Sequence, residues 1–173
     1  MLAMDDGDGD AAEGWFKKAV ALKPDFRSAL FNLALLLNER KRPLEAIPHL
    51  KALLLHFPDH VKGLVLLGDI YTNHVRDYDE AERCYRRIAE LDPTHVQARH
   101  NLCVVMVERG DLGGARECLR EVQTMAPDLD YVGRHLGIVE NRIRLMGETT
   151  TTKGTEDAKS EEEMQEENAR KDT

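Results

Sequence analysis

Apolar side chains recur along this chain at the three- and four-residue spacing of amphipathic helices. The pattern predicts helices at about 10–22, 27–40, 44–56, 61–75, 79–91, 95–108, 112–125 and 129–146. Every second predicted helix is followed by a proline, at intervals of 34, 35 and 34 residues: Pro24, Pro58, Pro93 and Pro127. Because proline lacks an N–H and disfavours helix in the residue before it, each proline ends a helix pair. The extra residue of the second interval is expected in the turn at 74–78, where an insertion is tolerated best.

The same residue types recur at matching positions of successive helix pairs. One position of each first helix holds a large apolar residue: Leu33, Leu67 and Leu102. The next position holds a small residue: Ala34, Gly68 and Cys103. A position of each second helix also holds a small residue: Ala46, Ala81 and Ala115. This pattern with a period near 34 is typical of tetratricopeptide repeats. We predict an all-α fold, a right-handed tetratricopeptide superhelix (an α-solenoid) with a C-terminal capping helix and a disordered acidic tail.

The register divides the chain into a series of units. These are a partial repeat with only a second helix at 1–26, full repeats at 27–60, 61–95 and 96–129, a capping helix at 130–146 and the tail at 147–173. The partial unit leaves Ala12, Trp15 and Phe16 without a preceding helix, so we expect this chain to be the end of a longer one. The alternative is that a partner or a dimer covers that face. The capping helix is predicted from a one-sided apolar stripe: Val132, Leu136, Val139, Ile143 and Met146.

The composition and net charge disfavour some classes of function. The chain has 173 residues, of which 42% are hydrophobic, and a formal net charge of −8, which disfavours a nucleic-acid partner. Its longest apolar stretch, 29–37, is too short to cross a bilayer, and its acidic N-terminus does not resemble a signal peptide. Residues 147–173 carry few apolar side chains, so they are predicted to be disordered, either as a solvated extension or as an acidic interaction tail.

The sequence offers no active site. Three cysteines without a C-x2-C pair disfavour zinc binding, and packing explains Cys84, Cys103 and Cys118, with a disulfide as the less favoured alternative. His56 and His60 are four residues apart, but a proline between them interrupts the helix that would align them on a metal. No glycine-rich phosphate loop is present. We therefore predict no catalytic, cofactor-binding or metal-binding residues, and no enzyme in this chain on its own.

The first helices of such arrays line the concave surface on which peptides usually lie. By register, we predict a peptide-binding surface formed by Ser28, Phe31, Asn32, Leu35, Asn38, Lys62, Val65, Leu66, Asp69, Asn73, Gln97, His100, Asn101, Val104 and Glu108. Asn32 and Asn101 occupy the same slot, where a side-chain amide can bond to the backbone of an extended ligand. Alternatively, these two amides tie neighbouring helices together. Binding of a C-terminal carboxylate, as in chaperone-binding arrays, is disfavoured because Phe31, Leu35 and Val65 replace the polar groups it needs.

Longer segments are similar to one particular family. They are FRSALFNLALLL at 26–37, PDHVKGL at 58–64 with GDI at 68–70, HNLCVV at 100–105, and RHL at 134–136 with IV at 138–139. These segments resemble the transmembrane and tetratricopeptide-repeat family of O-mannosyltransferases that act on cadherins, and the resemblance covers about residues 1–146. It implies a luminal repeat array that follows a multi-span catalytic domain in the endoplasmic reticulum, with dolichol-phosphate mannose as the donor. That catalytic domain has no counterpart here, so no catalytic residue carries over.

We therefore expect a protein- or peptide-binding tetratricopeptide module, the C-terminal fragment of a luminal protein O-mannosyltransferase-like protein. The expected partner is a protein or an extended peptide segment, either a cadherin-like client or an upstream membrane enzyme domain. The resemblance places the chain in the lumen of the endoplasmic reticulum. The alternative, favoured by the lack of a signal peptide and of an N-x-S/T sequon, is a stand-alone cytoplasmic scaffold or adaptor without an attached enzyme.

Overall fold

The computed structural model describes residues 6–147, with side chains from residue 9 onward. Its helices fall into two compact units, which meet in sequence at Gly110 and Asp111. The first unit contains α1 (Asp6–Leu22), α2 (Arg27–Glu39), α3 (Pro43–His56), α4 (Val61–Ile70) with a π-helical turn (Tyr71–Val75), α5 (Tyr78–Leu91) and α6 (Val96–Glu108). The second contains α7 (Leu112–Met125) and α8 (130–147). Every helix predicted from the apolar pattern is confirmed, and α1 begins at Asp6 rather than near residue 10. The predicted acidic tail, apart from its first residue, lies outside the described residues.

The core of the first unit is formed by the slots that repeat in the sequence. Successive helices pack on one another from α1 to α6, and Leu33, Ala34 and Ala46 are fully buried where α2 crosses α3. Phe16 of α1 is half-buried against this core, whereas the neighbouring Trp15 is 68% exposed. Burial of each fully buried leucine contributes roughly 1.5–3 kcal/mol to the free energy of unfolding. Packing of the apolar side chains at the repeated positions is therefore the main interaction that holds each helix pair together.

The paired helices α4 and α5 approach each other closely at Gly68 of α4. A Cβ atom added there would lie 2.8 Å from two ring carbons of Tyr85 on α5, and Tyr85 is itself only 1% exposed. A residue without a side chain is therefore required at this position. The tyrosine ring fills the space that a larger residue would occupy.

The extra residue of the second repeat is accommodated inside a helix. The turn Tyr71–Val75 is π-helical, and the Arg76 N–H donates to the carbonyl of Tyr71, five residues earlier. Arg76 then adopts a left-handed conformation with φ of 60° and ends the helix. The insertion was predicted in the connecting turn at 74–78, but the structure places it mostly in the last turn of the helix, which keeps α5 in register with its neighbours.

Among the residues that the structure describes, four helices begin with a side-chain cap. His60 and His95 accept the N–H of the residue three positions later at the start of α4 and α6, at 3.0 and 3.2 Å. Asp77 and Asp111 do the same for α5 and α7. The first helices of two repeats thus depend on a neutral imidazole nitrogen as acceptor, which is an uncommon choice for this position.

Ion pairs join the second helix of one repeat to the first helix of the next repeat at two places among the described residues of the first unit. Arg40 at the end of α2 pairs with Asp10 and Glu13 of α1, and Glu13 also binds Arg42 and Lys17 at 2.7 Å. Hydrogen bonds from Lys17 and Arg42 lower the pKa of Glu13 to about 2. Two repeats later, Arg109 pairs with Asp79 and Glu82 in the same arrangement.

The second unit is a pair of helices with one buried face on each. Leu119 and Val122 of α7 are 1% exposed, and Val132 and Val139 of α8 are almost fully buried. Arg120 and Glu140 join the two helices by an ion pair of 2.7 Å. Burial decreases along the predicted stripe of α8, since Met146 is 61% exposed. Whether α8 caps a longer array stays a prediction.

Replacing Gly68 with alanine is expected to destabilise the protein by about 1–3 kcal/mol, because the new methyl group overlaps the buried Tyr85 ring. The matched control is Gly14→Ala in α1, where a Cβ meets no atom within 4 Å; it should gain about 0.5–1 kcal/mol from helix propensity. Urea unfolding followed by circular dichroism measures both. Equal effects of the two substitutions would contradict the close approach.

The cap at α4 makes stability depend on pH. Burial and the nearby Arg27 lower the pKa of His60 below its ordinary value, so the folded state favours the neutral ring, and the cap is intact above about pH 6.5. As the pH falls below that value, the unfolded state gains protons first and the contribution of the cap, about 1 kcal/mol, is lost.

The variant His60→Asn keeps a capping acceptor but does not titrate. Its free energy of unfolding should decrease less between pH 7.5 and pH 5.5 than that of the parent chain. His56→Asn, which replaces an exposed histidine at the end of α3, serves as the control. If His60→Asn and the parent show the same pH dependence, the capping account is wrong.

Candidate functional site

The residues predicted to bind a peptide all lie in the first unit, on α2, on α4 with its π-helical turn, and on α6. We call these fifteen residues the first-helix surface. Two contacts join its three helices: the rings of Phe31 and His60 lie 5.1 Å apart between α2 and the start of α4, and Asn101 of α6 donates a 3.1 Å hydrogen bond to Asp69 of α4. The three first helices therefore present neighbouring faces within this unit.

A groove of about 630 Å³ lies between the N-terminal ends of α2 and α4. Its lining includes four of the predicted residues and four that were not predicted: Ser28, Phe31, Asn32 and Lys62, and Arg27, Asp59, His60 and Val61. Asn32 is exposed and makes no hydrogen bond to the described residues, so its amide can meet a ligand. The groove combines an aromatic ring, an amide and basic side chains, which suits an extended peptide with polar groups.

A hydrogen-bonded cluster forms the centre of the first-helix surface. The hydroxyl of Tyr85 donates to Oδ1 of Asp69 at 2.6 Å, and Nδ2 of Asn101 donates to the same oxygen at 3.1 Å. His100, which is 7% exposed, places its Nδ1 3.4 Å from Oδ1 of Asn101. Among the described residues Asn101 thus joins α6 to α4. This is the alternative given above for its amide, a bond between neighbouring helices instead of a bond to a ligand.

Asp69 is a carboxylate without a cation. Burial raises its pKa, and the Tyr85 hydrogen bond only partly opposes that rise. Among the described residues no lysine, arginine or histidine forms an ion pair with it, and Oδ2 accepts no hydrogen bond. The burial of the ring and the nearby carboxylate also raise the pKa of Tyr85, so Tyr85 stays a hydrogen-bond donor.

The remaining members of the predicted surface are placed less centrally. Leu35, Val65, Leu66 and Val104 are half-buried, and Gln97 is exposed. Asn73 bonds to its own helix at the carbonyl of Asp69, and Glu108 accepts from Tyr78 at 3.4 Å. Asn38 lines a different groove of about 650 Å³ beside the turn at Lys41 and Arg42. The structure thus places eight of the fifteen predicted residues in the central cluster or in one of the two grooves, and the other seven lie outside them.

Two residues that matter here were not among those predicted. Tyr85 lies on the second helix α5, outside the first helices from which the surface was predicted, yet its hydroxyl donates to Asp69 of that surface. His60 was considered only for metal binding, yet it caps α4 and lines the groove. The sequence did carry a signal for His60, since His60 and His95 both stand two residues after a repeat proline.

The described residues contain no group of three or more His, Cys, Asp or Glu side chains that could hold a metal ion. Cys84 is a free thiol whose pKa is raised to about 12 by burial, so it stays protonated and unreactive. Within 6–147, none of the helices is long and apolar enough to cross a membrane.

Comparison with known proteins identifies the repeats. Family models described as tetratricopeptide repeat match residues 1–54 and 75–133. The crystal structure of the MamA protein superimposes with a TM-score of 0.74 at 20% identity, and the match covers 83% of this chain and 78% of MamA. At this identity the likeness shows the fold alone, and that fold is the predicted tetratricopeptide α-solenoid.

Relatives with a similar sequence identify the family more narrowly than the shared fold does. Protein O-mannosyl-transferase Tmtc3 of Drosophila melanogaster is 60% identical over 144 residues, which are 83% of this chain and 16% of that protein. Protein O-mannosyl-transferase TMTC3 of Homo sapiens is 52% identical over 143 residues, with the same shares. The chain spans about a sixth of the length of these relatives. The chain belongs to the tetratricopeptide-repeat family, and over most of its length it is homologous to the Tmtc3 O-mannosyl-transferases.

Proposed function

We propose that the first-helix surface binds an extended segment of another protein, and that the chain supplies this binding surface to an O-mannosyltransferase-like protein. Tetratricopeptide arrays are protein-binding modules because each repeat exposes one helix face that its neighbours leave uncovered. The observation that supports this site best is the α2–α4 groove, in which the Phe31 and His60 rings lie 5.1 Å apart beside exposed polar side chains.

The groove has the chemistry of a peptide site. Asn32 offers an amide that can both donate to and accept from a peptide backbone, and Phe31 offers a half-buried ring for an apolar side chain. Ser28 and Lys62 are exposed at the rim of the groove. Because the groove is already formed by the helix backbones, an extended ligand binds it at a lower entropic cost than it would bind a segment that must first become ordered.

The homology to the Tmtc3 proteins supports the attachment to an enzyme. Those relatives are named protein O-mannosyl-transferases, and their matched region is a sixth of their length. We propose that the repeats form the C-terminal, luminal part of such a protein in the endoplasmic reticulum and present a client, cadherin-like or other, to its catalytic domain.

Peptide binding can be tested on an array of random 12-residue peptides, with fluorescence anisotropy on the best binders. Asn32→Ala combined with Lys62→Ala should weaken binding of the best peptides at least about tenfold, because each change removes a hydrogen bond or a charge contact worth about 1 kcal/mol. Both side chains are exposed, so circular dichroism should show unchanged stability.

The matched control is Lys18→Ala on α1, an exposed lysine outside the first-helix surface, and it should leave the affinity unchanged. Binding that survives in the double variant places the ligand elsewhere. A parent chain that captures no peptide from the array contradicts the peptide-binding function itself.

The luminal location is tested by protease protection of the full-length protein, with an epitope tag in this region, in microsomes. The tag should resist protease in intact vesicles and be digested once detergent opens them, as for a luminal control protein. Digestion without detergent would instead favour a cytoplasmic scaffold, and the attachment to a luminal enzyme would be wrong.

A further inference from the structure

The charge of Asp69 is the least explained feature of the first-helix surface. Within residues 9–147 only one of its two oxygens accepts a hydrogen bond, since Tyr85 and Asn101 both donate to Oδ1. The carboxylate is partly withdrawn from water, and within residues 9–147 no cationic side chain pairs with it. Lys62 stands two helical turns earlier on α4, at about 10 Å along the axis, which is too far for an ion pair.

Asp69 breaks a pattern of apolar residues. The equivalent positions of the neighbouring first helices hold Leu35 in α2 and Val104 in α6, each eight residues after the start of its helix. Val65 and Leu66 precede it on α4 and are half-buried like both of those residues. The result is a carboxylate that is hydrogen-bonded to Tyr85 and Asn101 and stands at a position that is apolar in both neighbouring first helices.

Both hydrogen bonds fix this carboxylate in place. Tyr85 is 1% exposed and locked against Gly68, so its hydroxyl has little freedom. Asn101 holds the same oxygen from the opposite helix. An oriented charge in a partly dry environment attracts an opposite charge more strongly than a mobile surface carboxylate does.

We infer that Asp69 binds the side chain of an arginine or lysine in the bound segment, through its free oxygen, and that apolar residues flank this basic residue in the ligand. This inference rests on the peptide-binding function proposed above and adds its sequence preference. The ligand class is therefore an extended protein segment in which one basic residue stands between apolar ones. The net charge of −8 favours the approach of such a segment.

The variant Asp69→Asn isolates the charge. Since both protein donors use Oδ1, the asparagine carbonyl can accept the same two hydrogen bonds, and only the unpartnered oxygen is changed to an amide. Asp25→Asn, an exposed carboxylate in the turn before α2, is the matched control for a change of one charge unit.

The test uses the best-binding 12-residue peptides and, for each, a copy in which the basic residue is replaced by citrulline or glutamine. The parent chain should prefer the basic peptides by about tenfold or more, as expected for a charge-assisted hydrogen bond. Asp69→Asn should abolish this preference while it binds the neutral copies as the parent does. Asp25→Asn should keep the preference, and the melting temperature should be the same for all three proteins.

Each alternative outcome is decisive. If the parent binds peptides with no preference for a basic residue, or if Asp69→Asn retains that preference, the inference is wrong while the peptide-binding function stands. If Asp69→Asn lowers the affinity for basic and neutral copies alike, the role of Asp69 is structural, and the inference is again wrong. If the parent binds no peptide, both proposals are overturned together.

Discussion

The contact between Gly68 and Tyr85 is the constraint on which the central repeat depends. A buried ring can occupy this position only because the facing helix has no side chain there, and the ring in turn sets the distance between α4 and α5. The hydroxyl of the same buried tyrosine donates to the carboxylate of Asp69 and fixes it in place. Packing inside the helix pair and the geometry of the candidate site are thus determined by one residue.

The repeated geometry explains how a binding surface arises without a separate binding domain. Each second helix is covered by the first helix that follows it, and ion pairs such as Arg40 with Glu13 and Arg109 with Glu82 reinforce that order. The first helices keep one face outside these contacts. Exposed side chains on that face, such as Asn32 and Lys62, are not needed for the packing between helices, so polar residues can lie there and meet a ligand.

The sequence predicts the helices, the period and the small residues at the helix crossings because these follow from local propensity and from a pattern repeated along the chain. It does not predict the π-helical turn at Tyr71–Val75, since a one-residue insertion can be placed anywhere between two fixed helices until their packing is known. The histidine caps were also missed, because His60 and His95 replace the usual serine, threonine or aspartate.

For the candidate site, register alone identifies which residues lie on the first helices and therefore includes Asp69 and Asn101. It cannot show that Tyr85 of a second helix joins them, because that contact crosses between helices at a distance set by Gly68. It also cannot distinguish Asn32, which is free of hydrogen bonds within the described residues, from Asn101, which holds Asp69. These two amides differ in their neighbours, which are known only from the fold.

The most direct measurement of the central claim is photo-crosslinking with a bound peptide that carries a benzophenone beside its basic residue, followed by mass spectrometry of the digested chain. Binding on the first-helix surface predicts crosslinks to α2, α4 and α6, within 28–38, 62–69 and 97–108. Crosslinks confined to the second helices α3 and α5 would contradict the account, because those helices hold none of the proposed binding residues.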